Sequence, residues 1–355
     1  MTRTLKCAAL IVASAHALVL GQGGDAAKVL ADARAAMGGD KLAAVKTMSG
    51  TGRILRTSPD GNTRENEFEL ALELPDKYLM RSVIAAMGSM SIYRNSGFNG
   101  GQVLEEIDRP PNLQTGNVVM AVRVGGPLGG VQDPATMTPE QKAEISKSQL
   151  LQNRKEYARL ALGMFAASPA FYPLTFTHAG QAESPDGKAD VIDVKGEGDF
   201  SVRLFVDSQT HLPLMLSWMD KEPLSMTMTS GPGGPGAAVP SGGATGTFTT
   251  TIGGGGGAVV HQQVGGGGGG GGQQMTPEQR EKMMADFEAR RKEAEAKRRT
   301  VEYRVYYADY QAVNGAMLPH KIQRSIDGKP VEEMVFDKIK VNPKIDAKTF
   351  QPINK

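Results

Sequence analysis

The side chains that could do chemistry in this sequence are few and scattered. Of the five histidines, His16 falls in an apolar leader, His261 in a glycine-rich stretch, and His178, His211 and His320 stand alone. A helical zinc site needs two histidines one turn apart around a glutamate, and no His-Glu-x-x-His occurs. The lone histidines therefore read as surface or turn residues. Glu105, Glu106 and Asp108 could chelate a hard cation, although a solvated strand end explains them more simply. The glycine runs 253–257 and 265–272 invite a phosphate-loop reading, yet neither ends in the Gly-Lys-Ser/Thr that grips phosphate and magnesium. No Gly-x-Ser-x-Gly elbow presents a nucleophilic serine. The cluster Arg290, Arg291, Lys292, Lys297, Arg298 and Arg299 could touch anionic lipid headgroups, a solvated helix face being the plainer reading. No catalytic residue, metal site or cofactor is expected.

The opening of the chain says more about where the protein works. Arg3 and Lys6 precede an apolar run from Cys7 to Leu20, followed by Gly21, Gly23 and Gly24, which is the charged, apolar and small-residue order of a secretory leader. The run is shorter than the roughly 20 residues that cross a bilayer. A signal peptide over 1–21 implies a periplasmic or secreted protein, soluble after cleavage. Cys7 is the only cysteine, so a cleaved chain forms no disulfide and stability must come from burial. The net charge of +2 is mixed along the chain and gives no field that favours nucleic acid.

Stepping from side chains to elements, Asp25 can cap a helix whose apolar positions Ala26, Val29, Leu30, Ala33 and Met37 share one face, with Gly38 and Gly39 as its stop. Phe68, Leu70, Leu72 and Leu74 then alternate with Glu67, Glu69, Ala71 and Glu73, a strand with one dry and one wet face. Similar strands are predicted at 52–57, 78–85, 89–94, 102–107, 174–181, 189–195, 201–206, 212–219, 301–310, 317–326 and 331–341. Asn314-Gly315 and Asp327-Gly328 mark tight hairpins between them. Thr138-Pro139-Glu140-Gln141 and Thr276-Pro277-Glu278-Gln279 each supply a capping box. The first opens a helix, about 138–165, that carries Ile145, Leu150, Leu151, Leu160 and Leu162 and can dock on a sheet. The second is mostly i,i+4 charge pairs, among them Glu293 with Lys297.

Many short strands against few helices predict a mainly β, α+β protein built on a large curved sheet or open barrel. Its organisation is expected as a first part over 22–222, an insertion over 223–299, and C-terminal strands of the same domain over 300–355. The glycine-rich part of the insertion should be disordered. Ordering a residue costs about 1–2 kcal/mol and glycine buries nothing in return.

The cadence of the last strands is distinctive: Val301 to Tyr310, the turn Asn314-Gly315-Ala316-Met317-Leu318-Pro319, the hairpin Asp327-Gly328-Lys329, then Val341-Asn342-Pro343-Lys344-Ile345-Asp346 to Phe350. Phe205-Val206-Asp207 and His211-Leu212-Pro213 join two strands in the same manner, and Ala35-Ala36-Met37-Gly38-Gly39 opens the chain similarly. This resembles the periplasmic lipoprotein-carrier superfamily, the LolA-like and LolB-like proteins and their lipoprotein-sorting relatives. The resemblance implies an open half-barrel of about eleven antiparallel strands, with helices covering a hydrophobic cavity for acyl chains and no catalysis. It implies as ligand-cavity candidates Leu204, Val206, Leu214, Leu216, Trp218, Val305 and Tyr307, from the dry faces of three strands. Burying an acyl chain of about ten carbons is worth roughly 8 kcal/mol at about 0.8 kcal/mol per methylene. The expected partners are lipid or lipoprotein acyl chains, for a monomer. An envelope sensor or protein-interaction module that binds a protein partner through the insertion is the alternative.

Overall fold

The computed structural model describes residues 23–58, 61–87, 90–108, 137–185, 187–230, 246–252, 259–263, 278, 285, 289–290 and 292–353. The expected signal peptide, the glycine runs and most of the second charged helix lie outside these residues. The helices that bear on the sheet are α1 (Gly23–Ala36), α2 (Asp40–Ala43) and α3 (Pro139–Phe165); residues 292–296 are also helical, and Ala347–Phe350 form a 3-10 turn. Five strands separate the second helix from the third: β1 (Thr47–Thr57), β2 (Thr63–Glu73), β3 (Lys77–Met87), β4 (Met90–Asn99) and β5 (Gln102–Asp108). After α3 come β6 (Thr175–Ser184), β7 (Gly187–Lys195), β8 (Ser201–Asp207) and β9 (Pro213–Lys221). Then follow β10 (Leu224–Ser230), β11 (Gly246–Ile252) and β12 (Val259–Gln263), and last β13 (Thr300–Val313), β14 (Ala316–Ile326) and β15 (Lys329–Val341).

Twelve of these strands form one antiparallel sheet in the order β5-β4-β3-β2-β1-β15-β14-β13-β9-β8-β7-β6, one more than the eleven expected. The end strands β5 and β6 are not paired with each other, so the sheet is open. β10, β11 and β12 form a separate three-stranded sheet within the expected insertion. The strands on either side of that insertion are direct neighbours, with Lys221 of β9 opposite Thr300 of β13.

Local sequence explains most of these elements. In β2 the alternation places Phe68, Leu70 and Leu72 inside and leaves Glu67 and Thr63 in water. The turns Asn314-Gly315 and Asp327-Gly328 hold both central residues at positive φ (51° and 84°, 49° and 75°). That backbone matches the twist of two-residue hairpins, and Asn-Gly and Asp-Gly adopt it cheaply. At the start of α3, Thr138 accepts from the Gln141 amide while Gln141 accepts from the Thr138 amide, the reciprocal cap the sequence predicts. The stripe Ala26, Leu30, Ala33 and Met37 of α1 is buried on the sheet.

Gly38 ends that helix because nothing larger fits: a Cβ there would lie 2.3 Å from the Gly315 carbonyl oxygen. The approach is fixed by the Met317 amide, which donates to the Met37 carbonyl at 2.9 Å. The middle seam of the sheet, β1 with β15, is clasped by Asn342 in the left-handed conformation (φ 55°). Its Oδ1 accepts from the amides of Lys46 (2.7 Å) and Thr47 (3.3 Å), and its Nδ2 donates to the Ala44 carbonyl (3.1 Å). Among the described residues no helix is long and apolar enough to cross a membrane.

Candidate functional site

α3 lies across one face of the sheet, and its contacts show how strongly that sheet curls. Asn153 donates from Nδ2 to the Gly97 carbonyl of β4 at 2.9 Å, while the Arg159 guanidinium lies 4.3 Å from the ring centre of Trp218 on β9. Six residues of helix span about 9 Å. β4 and β9 are seven neighbours apart in the sheet order, which would be about 33 Å if the sheet were flat. The sheet therefore wraps α3, and the wrapped inner face carries the main apolar core.

Six of the seven expected lining residues lie on this face. Leu204, Val206 and Leu216 are fully buried, and Trp218, Val305 and Tyr307 nearly so. Leu214 does not join them. It packs with Ala189, Val191, Phe205 and Met215 on the outer face, because the β8–β9 register slips between Phe205, opposite Met215, and Val206, opposite Pro213. Pro213 has no amide to give to the ladder, which makes a bulge at this point inexpensive. The inserted residue turns Leu214 away from the face that strict alternation assigns it.

Three kinds of contact hold α3 down. The first is aromatic: Tyr157 sits 5.5 Å from Tyr78, 5.9 Å from Phe98 and 5.4 Å from Phe171, between β3, β4 and the loop after α3. The second is hydroxyl to carbonyl. Tyr307 donates to the Arg159 carbonyl (2.7 Å), and Tyr310 donates its one hydrogen chiefly to the Pro213 carbonyl (2.7 Å), with the Gly163 carbonyl 3.3 Å away as the weaker branch. Burial pushes the hydroxyls of Tyr307 and Tyr310 well above their ordinary value, so both stay protonated donors. The Tyr307 ring lies so close to the helix backbone that only glycine fits at 163, where a Cβ would come within 2.1 Å of the ring.

The third contact is a chain of alternating charges. Arg159 pairs with Glu156, Glu156 with Arg324 of β14 (2.9 Å), and Arg324 faces Glu332 of β15 across the ladder. Glu332 accepts from Arg56 of β1 at 2.9 Å. All five side chains are at least three-quarters removed from water. Burial opposes the charge on Arg324, but the carboxylates of Glu156 and Glu332 raise its pKa further above the ordinary range. Burial likewise pushes the Glu332 carboxyl up, and Arg56 and Arg324 together outweigh it, leaving that group below its ordinary value. Beside this chain, Trp218 stacks on Tyr303 at 5.3 Å, whose hydroxyl burial pushes up to about 12.

The other residues considered from sequence fall into separate places. Glu105 binds Arg94 and the Ser96 hydroxyl, Asp108 binds Arg81 at 3.0 Å, and Glu106 accepts from the Ile353 amide at 2.7 Å. Among the described residues no three His, Cys, Asp or Glu side chains come together as a metal site. His211 lies in the β8–β9 turn at φ 58°, as expected. His320 does not lie at the surface; it is buried in β14 with Nδ1 3.0 Å from the Leu318 carbonyl oxygen. His178 is also largely buried, 3.6 Å from Asp190 and 4.0 Å from Asp25 of α1, because α1 covers the edge strand β6. Arg298 leaves the solvated cluster to donate to the Glu222 and Lys221 carbonyls, where it closes the end of the β9–β13 pair. The sequence missed Glu156, Arg324, Glu332 and Asn153, whose partners lie far along the chain.

No known family profile matches the chain, and no curated protein matches it. Several crystal structures do. A LolA superfamily protein from Nitrosomonas europaea is 8% identical, covering 92% of this chain and 97% of that one at a TM-score of 0.41. A putative outer membrane lipoprotein-sorting protein domain from Vibrio parahaemolyticus is 7% identical, covering 93% and 97% at 0.40. A DUF1329 family protein from Desulfovibrio piger is 6% identical, covering 92% and 97% at 0.40.

Proposed function

We propose that this chain is a periplasmic, non-enzymatic carrier or binding protein for a lipid or other acyl group, with α3 as the lid over its binding face. One observation carries the reading: α3, beside the smaller cover given by α1, lies over a wrapped, apolar sheet face and is tied to it partly by polar bonds that can be exchanged. An acyl chain entering beneath α3 replaces the apolar contacts that the helix gives up, at about 0.8 kcal/mol per buried methylene. Leu204, Val206, Leu216, Trp218, Val305 and Tyr307 are the surface it meets. Leu214, on the outer face, takes no part. The test is saturable uptake of a neutral hydrophobic dye, N-phenyl-1-naphthylamine, by the delipidated full chain, together with native mass spectrometry for lipid that co-purifies. Uptake with a single class of site and a change in Trp218 emission is expected; no uptake and no bound lipid would remove the carrier reading.

A second reading is favoured by the accessory sheet β10-β11-β12, which among the described residues shares no ladder with the main sheet. In it, the segment between β9 and β13 holds an envelope protein partner. Deleting residues 231–290 then abolishes partner binding and leaves dye uptake intact. A loss of both would refute it.

A further inference from the structure

Resting on the acyl-binding reading, we infer that the ligand is an amphiphile with an anionic oxygen head, a phosphate or a carboxylate, and that Arg324 receives this head in the place Glu156 now occupies. The argument begins with one row of the inner face. Across neighbouring strands the directly opposed residues run Arg56, Glu332, Arg324, Val305, Leu216 and Leu204. The row is charged up to Arg324 and dry from Val305 onward. Ile192 of β7, opposite Leu204 and fully buried, extends the dry part. From Val305 to Ile192 is three strand spacings, about 14 Å. A charged head at Arg324 and a chain laid along this row fit the same boundary.

The contact that Arg324 gives up selects the sign of the head. Glu156 and Arg159 both belong to α3 and leave together as a pair. Arg56, Arg324 and Glu332 stay on the strands. When the lid lifts, Arg324 loses the carboxylate that sits 2.9 Å from its Nη2. Removing one partner of a buried ion pair is costly, and an incoming oxyanion restores it. The planar guanidinium can also meet a phosphate or carboxylate with two parallel bonds, which a neutral head does not offer. Glu156 thus acts as an internal stand-in for the ligand head.

Trp218 is the only tryptophan and lies directly under Arg159, so its emission follows the departure of α3 in the unmodified full chain. The delipidated protein is titrated with dodecyl phosphate, dodecanoate and dodecyl maltoside, each below its critical micelle concentration. Both anionic probes should bind about tenfold or more tighter than the neutral one, a difference of about 1.4 kcal/mol per factor of ten. Arg324→Met should bring the three probes to similar affinity, because the lost tie to Glu156 acts on all three alike while the preference for a charged head disappears. Glu156→Gln, which removes the competing charge, should tighten the anionic probes by about fivefold and the maltoside by less.

Equal binding of all three probes to the native chain overturns the headgroup assignment and leaves the acyl reading standing. Binding of none overturns the acyl reading and the headgroup assignment with it. A preference for anions that survives Arg324→Met also overturns the assignment, because the head would then sit elsewhere. If Arg324→Met does not fold, as judged by circular dichroism, Glu156→Gln decides: tighter anionic binding supports the inference and unchanged binding sinks it. The ranking of phosphate against carboxylate distinguishes a phospholipid-type source from a fatty acid.

Discussion

The two ends of α3 are held by different physics. From Pro139 to Gln152 the helix is exposed or half-buried and depends on its own capping box. From Ala161 to Ala166 every residue is buried, and Arg34 of α1 donates to the Ala166 carbonyl at 3.1 Å. Short isolated helices are marginal in water, so the first half persists because the second half is docked. The contrast makes the C-terminal end an anchor and the N-terminal end the side from which a lid would open. Between them, Tyr157 and the Glu156 pairs mark where local stability gives way to tertiary stability.

Substitutions can break this comparison or sharpen it. The largest effect is expected for Tyr157→Ala, which empties the ring cluster at the middle of the helix and should cost about 3–5 kcal/mol in denaturant unfolding. Gly163→Ala tests the anchor: the added methyl meets the Tyr307 ring and should cost about 1–3 kcal/mol, with α3 or the ring displaced in a crystal structure. If it were neutral, the close seat of the helix on β13 would be wrong. Thr138→Ala tests the other end, where losing the cap should cost about 1 kcal/mol of helix stability and speed amide exchange in the first turn, with none in the 161–166 region. The smallest effect is a pH dependence, read as a change of slope rather than of overall stability. Because the folded Glu332 carboxyl titrates below its ordinary value of 4.5, its contribution is fully present above that value. It is lost as pH falls through the lower folded value. Glu332→Gln should therefore flatten the acid limb of the stability curve below about pH 5, and an unchanged limb would remove the ion chain as its cause.

Much of the sheet was legible because each strand declares itself locally. The alternation of β2, the Val301, Tyr303, Val305, Tyr307 face of β13 and the Asn-Gly and Asp-Gly hairpins depend on neighbours within a few residues. The capping box of α3 was legible for the same reason. Leu214 was misplaced because alternation assumes an unbroken ladder, and the slip opposite Val206 is a property of two strands rather than one. The ion chain was hidden for a stronger reason: Glu156 and Arg324 are 168 positions apart, and Arg56 and Glu332 are 276 apart. No local pattern announces such pairs. His320 and His178 were read as exposed because a lone imidazole carries no sequence mark of the strand or helix that will cover it.

The seam between β1 and β15 has a consequence for how the molecule is made. Met48 pairs with Val341 near the centre of the sheet, so two half-sheets are knitted together by a pair of strands almost 300 residues apart in the chain. Until β15 is available, β1 and β14 each offer an unmatched edge, and closing such distant contacts is slow. Productive folding must wait for β15, and a chain in which the β14–β15 hairpin is delayed leaves both half-sheets with an exposed edge.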